Sequence, residues 1–236
     1  SIASGKAIID FENHFNEMFA ISEKKAITVN NMTSAIDLVC QYLSINSDSK
    51  VASLSFSCMS TSAALAKRKC SIHWIDLIPG TLEVCLNSLE NYFKEAVQVF
   101  LLYHIAGYVS DMFAIRKLCD KYQVTLIEDC NCALGATFKG QLLGSFGDFS
   151  ILSFYANRII NCFEGAMILT SKANENYFRS QRRYGINNEL FRKNGEINPD
   201  YDLTHASLNF SMQNINCAFG LGQLENLDDR VSRVQE

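Results

Sequence analysis

Residues 126–170 read LIEDCNCALGATFKGQLLGSFGDFSILSFYANRIINCFEGAMILT, and this stretch decides both the fold class and the place where chemistry would occur. The apolar run 124–127 predicts a strand that ends in Glu128 and Asp129. Open α/β sheets gather ligand groups at the carboxyl ends of their strands. Glycines then punctuate the chain at 135, 140, 144 and 147 before a second apolar run, 149–154, leads to Tyr155, Ala156, Asn157 and Arg158. The expectation is a buried strand that delivers a hydroxyl, Ser153, and a cation, Arg158, to a cleft beside the Asp129 carboxylate.

Around this stretch the composition narrows the function classes. The chain has 236 residues, 48% of them hydrophobic, enough for one large core. Its 21 basic and 25 acidic residues leave a net charge of −4 with both signs dispersed, which argues against nucleic acid and against a polybasic membrane anchor. No apolar run approaches the ~20 residues of a membrane span, and the opening SIASGKAIIDF lacks the pattern of a signal peptide, so a soluble, cytoplasmic protein is expected. The nine cysteines are odd in number and sit mostly in apolar runs, as reduced core residues do. Cys130 and Cys132 have no second ligand pair at zinc spacing, so no metal site is expected.

Taken in order, the chain alternates between helical and strand patterns. Phe11, Phe15, Met18 and Phe19 predict an amphipathic helix over 10–20, and a short strand follows at 26–29. Asn30, Asn31, Met32, Thr33 and Ser34 precede a helix marked by Ala35, Ile36, Leu38, Val39, Tyr42 and Leu43. Thr33 and Ser34 thus lie at a helix N-terminus, where free N–H groups bind phosphate or where the hydroxyls act as a simple cap. Strands at 51–54, 71–75 and 97–102, a helix at 58–67, an irregular segment at Pro79-Gly80 and a helix with Met112, Ile115, Leu118, Cys119 and Tyr122 on one face complete an α/β pattern. His104, after a strand, reads as a packed residue, and the polar segment 187–204 as a mobile loop.

Four segments, EDCNCALGA (128–136), KGQLLGSFGD (139–148), SFYANR (153–158) and EGA (164–166), resemble the signature of the DegT-like sugar aminotransferases. That is a fold-type-I family using pyridoxal phosphate (PLP). The resemblance extends to 51–82, to YHIAGYVSDM (103–112), to SQRRYG (180–185) and to LNFSMQNINCAFGLGQL (208–224), and covers 7–236. It implies a three-layer α/β/α large domain over 1–225 with a mostly parallel central sheet. It also implies that 226–236 start the helix toward a small C-terminal domain that this sequence lacks.

Site roles follow from the resemblance. Arg158 stands where the family has the lysine that holds PLP covalently. Met32, Thr33 and Ser34 form the turn that receives the phosphate, with Met32 in place of the usual glycine, and Ser153 matches a phosphate-contacting serine. Cys58 occupies the position of the aromatic residue that stacks on the ring, and Cys132 that of a glutamine beside the cofactor. Asp129 is set against the ring nitrogen, the alternative being a solvated acid at a strand end. Asn209 would reach a neighbouring subunit's site, implying a homodimer, the alternative being a cap at a helix start.

The implied activity is transfer of an amino group from a donor such as glutamate to a keto-sugar nucleotide, feeding surface polysaccharide synthesis. The replacements at 32, 58, 132 and 158 lead us to expect weak, noncovalent PLP binding and an impaired, degenerate active site. Two other readings are a catalytically degenerate homologue acting as a structural or regulatory partner, and a lysine-independent PLP enzyme. The sequence contains neither GxGxxG nor GxxxxGK[ST], so dinucleotide and P-loop readings have no support.

Overall fold

The computed structural model describes residues 5–187, 192–193, 196–197 and 199–235. Helix α1, Lys6–Met18, starts earlier than its apolar pattern suggested and buries Phe11 and Phe15. Both rings pack on Phe154, with centroids 4.9 and 5.4 Å away, so the first helix is fixed to the strand that leads into the site. Strand β1 is Lys24–Val29 and helix α2 is Met32–Tyr42. There follow β2 Lys50–Leu54, α3 Met59–Arg68, β3 Ser71–Ile75, α4 Leu86–Phe93, β4 Val99–Tyr103 and α5 Met112–Tyr122. Strand β5, Thr125–Asp129, leads to a hairpin of β6 Thr137–Phe138 and β7 Gln141–Leu142, then to β8 Phe149–Ser153 and β9 Ala166–Ser171. Helix α6, Glu175–Gln181, precedes the short pair β10 Arg192–Lys193 and β11 Glu196–Ile197. Within the segment 187–204 expected to be a mobile loop, these two short strands pair antiparallel, and 188–191, 194–195 and 198 lie outside the described residues. Helices α7, Asn214–Leu224, and α8, Leu227–Gln235, close the chain.

Seven strands form one sheet in the order β1-β9-β8-β5-β4-β2-β3. The pairs from β3 through β2, β4 and β5 to β8 are parallel, while β8–β9 and β9–β1 are antiparallel. Successive side chains on a strand face opposite ways. Accordingly Phe100, Leu126 and Leu152 join a core with Phe11, Phe15 and Phe154, while Leu101, Ile127 and Ile151 join a second core with Ile36, Leu38 and Phe178. A sheet buried on both faces needs unbroken apolar runs such as FSILSF, and the expected three-layer, mostly parallel fold is what forms. Elements not foreseen include the antiparallel strand β9, helix α6, the short hairpins, and helix α4, which lies between the irregular segment at Pro79-Gly80 and the strand expected at 97–102. Among the described residues, no helix is long and apolar enough to cross a membrane.

The outer helices are held by specific polar contacts. Glu12, buried in α1, accepts hydrogen bonds from Thr28 N at 2.9 Å and from Arg179 at 2.7 Å, and also pairs with Arg182. Helix α8 sits on the same body, since Arg230 donates to Ile159 O at 3.3 Å and Gly135 faces Val231 at a distance too short for any Cβ.

Candidate active-site cleft

The end of β5 separates two adjacent acids onto opposite faces. Glu128 turns toward the glycine-punctuated loop, where it accepts from Gly144 N at 2.9 Å and Gly147 N at 2.6 Å, and lies 3.0 Å from His104 Nε2. Burial opposes its ionisation, yet His104, the nearby Lys24 cation and the Gly144 N–H hold this carboxyl below its ordinary range. Lys24 itself, buried, donates to Gly144 O and Ser150 Oγ, each at 2.8 Å. The expectation of two strand-end carboxylates serving a ligand is therefore corrected. Glu128 fastens the loop over 139–147, and His104 is the packed, satisfied residue anticipated. A cation held by His104, Glu128 and Cys130, which approach within 4.8 Å, would have to displace those bonds beside a lysine.

Asp129 faces the other way and is fully buried rather than solvated. Its Oδ2 accepts from Thr61 Oγ1 at 2.6 Å and its Oδ1 from Asn131 N at 3.1 Å. Burial pushes its carboxyl up to about 6, against the pull of the Thr61 and Asn131 bonds and of the more distant His104 and Arg158 charges. Arg158 does not pair with it. Among the described residues the Arg158 guanidinium makes no ion pair, and its Nε is buried without a partner.

A cleft of about 490 Å³ is lined by Asn31, Met32 and Thr33 from the start of α2, Cys58 and Ser60 from the start of α3, Ser153 at the end of β8, and Arg158 and Glu164 beyond it. Asp129 is not in that lining, and its partner Thr61 follows Ser60 in sequence. The structure thus joins Met32, Thr33, Cys58, Ser153 and Arg158, five of the residues singled out from sequence. Ser34 lies one step behind them because Asn31 is the cap: its Oδ1 accepts from Ser34 N at 2.9 Å. That corrects the reading of Thr33 or Ser34 as capping hydroxyls. It leaves the first-turn N–H groups of Met32 and Thr33 without an intrahelical acceptor, as helix geometry requires.

Cys132 is not in the cleft lining. Its thiol donates to Asn131 Oδ1 at 2.8 Å and accepts from Tyr103 OH at 3.8 Å, and burial with this thiol beside it pushes Tyr103 up to about 12. Asn209 lines an adjoining hollow of about 200 Å³ that shares Glu164 with the cleft. It is no helix cap, because α7 starts at Asn214; its Oδ1 accepts from Ser211 N at 3.1 Å and its backbone bridges to Arg183. Lys139 lies elsewhere, its Nζ 5.1 Å from the Phe138 ring centroid and 5.4 Å from that of Phe113. Sequence reasoning missed Thr61 and Ser60. The small-residue run CMSTS at the start of α3 marked a close approach without saying to what. Ser60 donates to Cys58 Sγ at 3.3 Å, and its hydroxyl and backbone N–H together lower that exposed thiol's pKa.

A family model for the DegT/DnrJ/EryC1/StrS aminotransferase family matches residues 1–236. This chain belongs to that family. Among curated relatives, a GDP-perosamine synthase of Caulobacter vibrioides is 29% identical over 229 residues, 97% of this chain and 59% of the relative. A UDP-4-amino-4,6-dideoxy-N-acetyl-beta-L-altrosamine transaminase of Campylobacter jejuni is 28% identical over 240 residues, 100% of this chain and 61% of the relative. The DegT-family chain therefore spans about 60% of the length of such relatives. Among solved structures, an aminotransferase from Psychrobacter cryohalolentis superposes with a TM-score of 0.86 at 25% identity, covering 95% of this chain and 57% of that one. The PLP form of the putative sugar aminotransferase Spr1654 from Streptococcus pneumoniae gives 0.86 at 21% identity, covering 97% and 61%. The architecture is that of fold-type-I PLP-dependent aminotransferases.

The cleft's donor set fits PLP at both ends of that molecule. An unpaired guanidinium, a serine hydroxyl and free N–H groups at the start of α2 suit a phosphate. Asp129, buried outside the lining and held by Thr61 and Asn131, is the kind of group that suits a ring nitrogen. Between the two ends Cys58 supplies no flat face for stacking.

Proposed function

We propose that this chain is the cofactor-carrying part of a sugar aminotransferase-family protein that takes PLP without a covalent link and transaminates poorly or not at all. The single observation that carries the reading is Arg158, a guanidinium lining a cleft that contains no lysine among the described residues. PLP, when bound, supplies an electron sink for bonds at the substrate's amino-bearing carbon. In this reading Asp129, held by Thr61 and Asn131, presents a negative oxygen to the ring nitrogen, and the Met32 and Thr33 N–H groups with Ser153 hold the phosphate. A transaminase also needs a neutral amine beside the reacting carbon, to link to the carbonyl and to move a proton. A guanidinium stays charged and its delocalised nitrogens are poor nucleophiles. The replacements at Met32, Cys58 and Cys132 weaken retention further.

The names of the relatives support a nucleotide sugar and an amino donor as the substrate class. In this reading residues 1–225 make up the PLP-transferase-like domain and 226–236 the helical segment that follows it and packs on it. A homodimer is proposed through α7, where Ile215 and Phe219 are exposed and the Phe219 ring lies 4.6 Å from that of exposed Phe163. Asn209, beside this surface, then faces the second subunit. Nine free thiols favour a reducing, cytoplasmic setting.

The test is to incubate the full chain with PLP, reduce with borohydride and map the peptides by mass spectrometry. No lysine should carry the cofactor in the wild type, whereas Arg158→Lys should acquire it at position 158 with only partial transamination. A PLP adduct on any lysine of the wild-type chain overturns the proposal.

A further inference from the structure

We infer that the cleft is a receptor for a phosphate monoester rather than for an aldehyde, with Arg158 as a phosphate ligand, so that the aldehyde, amine and alcohol forms of the vitamin B6 phosphates are bound alike. This rests on the cofactor reading above and names what the site selects.

The groups that converge on the cleft are donors in search of an acceptor. Arg158 Nε is buried with no partner, and the guanidinium has no counter-ion among the described residues. Ser153 Oγ accepts from Tyr155 N at 3.4 Å, and among the described residues its own proton has no acceptor. The N–H groups of Met32 and Thr33 stand at the start of an 11-residue helix, whose dipole favours an anion there. Unpaired buried donors are costly, and a dianionic oxygen cluster is the ligand that satisfies several at once. Glu164 is the acid in the lining, and it is exposed, so water screens it.

Among the described residues there is no comparable provision for covalent capture of a carbonyl. Lys139 is held on the Phe113 and Phe138 rings, Lys24 is buried against Gly144 and Ser150, and the cleft lining includes no amine. An aldehyde there forms no covalent bond, so it gains no link that a CH2NH2 or CH2OH group in the same place would forgo. In a lysine-bearing site the carbonyl adds a covalent link, so replacing the lysine by an arginine changes the selected feature from oxidation level to charge.

Titration of the full chain, followed by intrinsic fluorescence and calorimetry, compares PLP, pyridoxamine phosphate, pyridoxine phosphate, unphosphorylated pyridoxal and inorganic phosphate. The esters should bind within about threefold of one another, with pyridoxal roughly ten- to a hundredfold weaker and inorganic phosphate competing with all. Arg158→Gln and Arg158→Ala, with circular dichroism as a check on folding, should weaken all the esters by a common factor of roughly ten or more. PLP binding at least tenfold tighter than the other esters, or ester binding unchanged in Arg158→Gln, overturns this inference and leaves the cofactor reading standing. Failure of the wild-type chain to bind any ester overturns both.

Discussion

Thr61 Oγ1 donates a 2.6 Å hydrogen bond to Asp129 Oδ2, tying the first turn of α3 to the last residue of β5 with both side chains withdrawn from water. The bond favours the ionised acid. In Thr61→Val that support is gone and the carboxyl should titrate above about 6, its value in the intact site. The unmet oxygen should also cost roughly 1–3 kcal/mol of stability. Carbon-13 NMR titration of the Asp129 carboxyl in both proteins measures the change, and an equal or lower value in the variant would refute it.

Asp129 also writes a signature into the pH dependence of folding. Its carboxyl is raised from the ordinary 3.8 to about 6 by burial, so below 3.8 it is protonated in both folded and unfolded chains and carries no penalty. As the pH climbs through about 6 the unfolded acid ionises first, and stability falls by on the order of 3 kcal/mol before levelling off. Asp129→Asn lacks this fall. The stability difference between wild type and Asp129→Asn, from urea melts, should change within that window and stay flat above it; a difference constant across the window contradicts the assignment.

Glu128→Gln exchanges an acceptor oxygen for a donor NH2 facing Gly144 N, Gly147 N or His104. The Lys24 cation loses its nearby countercharge as well. A loss of roughly 3 kcal/mol or more is expected in denaturant unfolding, because one member of a buried charged network has been removed. A loss below 1 kcal/mol would mean that the loop over 139–147 is held by other contacts.

Phe219→Glu places a charge on the exposed face of α7 against Phe163. If α7 is the subunit contact, light scattering should move from twice the chain mass to the mass of one chain, with the melting temperature at low concentration little changed. Identical masses for both proteins would remove α7 as the interface.

Much of this was legible in the sequence where residue chemistry marks the boundaries. Helix α5 was read from its apolar stripe, and it starts where Asp111 caps Ala114 N at 3.0 Å. Strand β3 also falls where the pattern placed it. Helix α4 escaped because it buries only Leu89 and Phe93, and β9 because AMILTS carries no alternation to set it apart from the motif before it. In the cleft, the strand ending at 153 pointed to Ser153 and Arg158, and the family resemblance brought out Cys58, Met32 and Thr33. Thr61 stayed hidden because it meets Asp129 across 68 residues of chain. Glu128 and Asp129 looked alike as neighbours in a string, and strand alternation is what gives them different employment.

The pairing of β1 with β9 joins Lys24 to Ser171 and Val29 to Ala166, so the sheet's first strand in sequence acquires its partner late. On a ribosome adding ~5–20 residues per second, Lys24–Val29 would wait roughly 7–30 s before Ala166–Ser171 is made. Throughout that interval an apolar strand, with Phe11 and Phe15 just upstream, has no native edge to join. Nascent chains of this protein are thus candidates for chaperone capture at this strand, and substitutions in β1, whose Ile27 and Val29 are fully buried, should lower yield during synthesis as well as the stability of the finished fold.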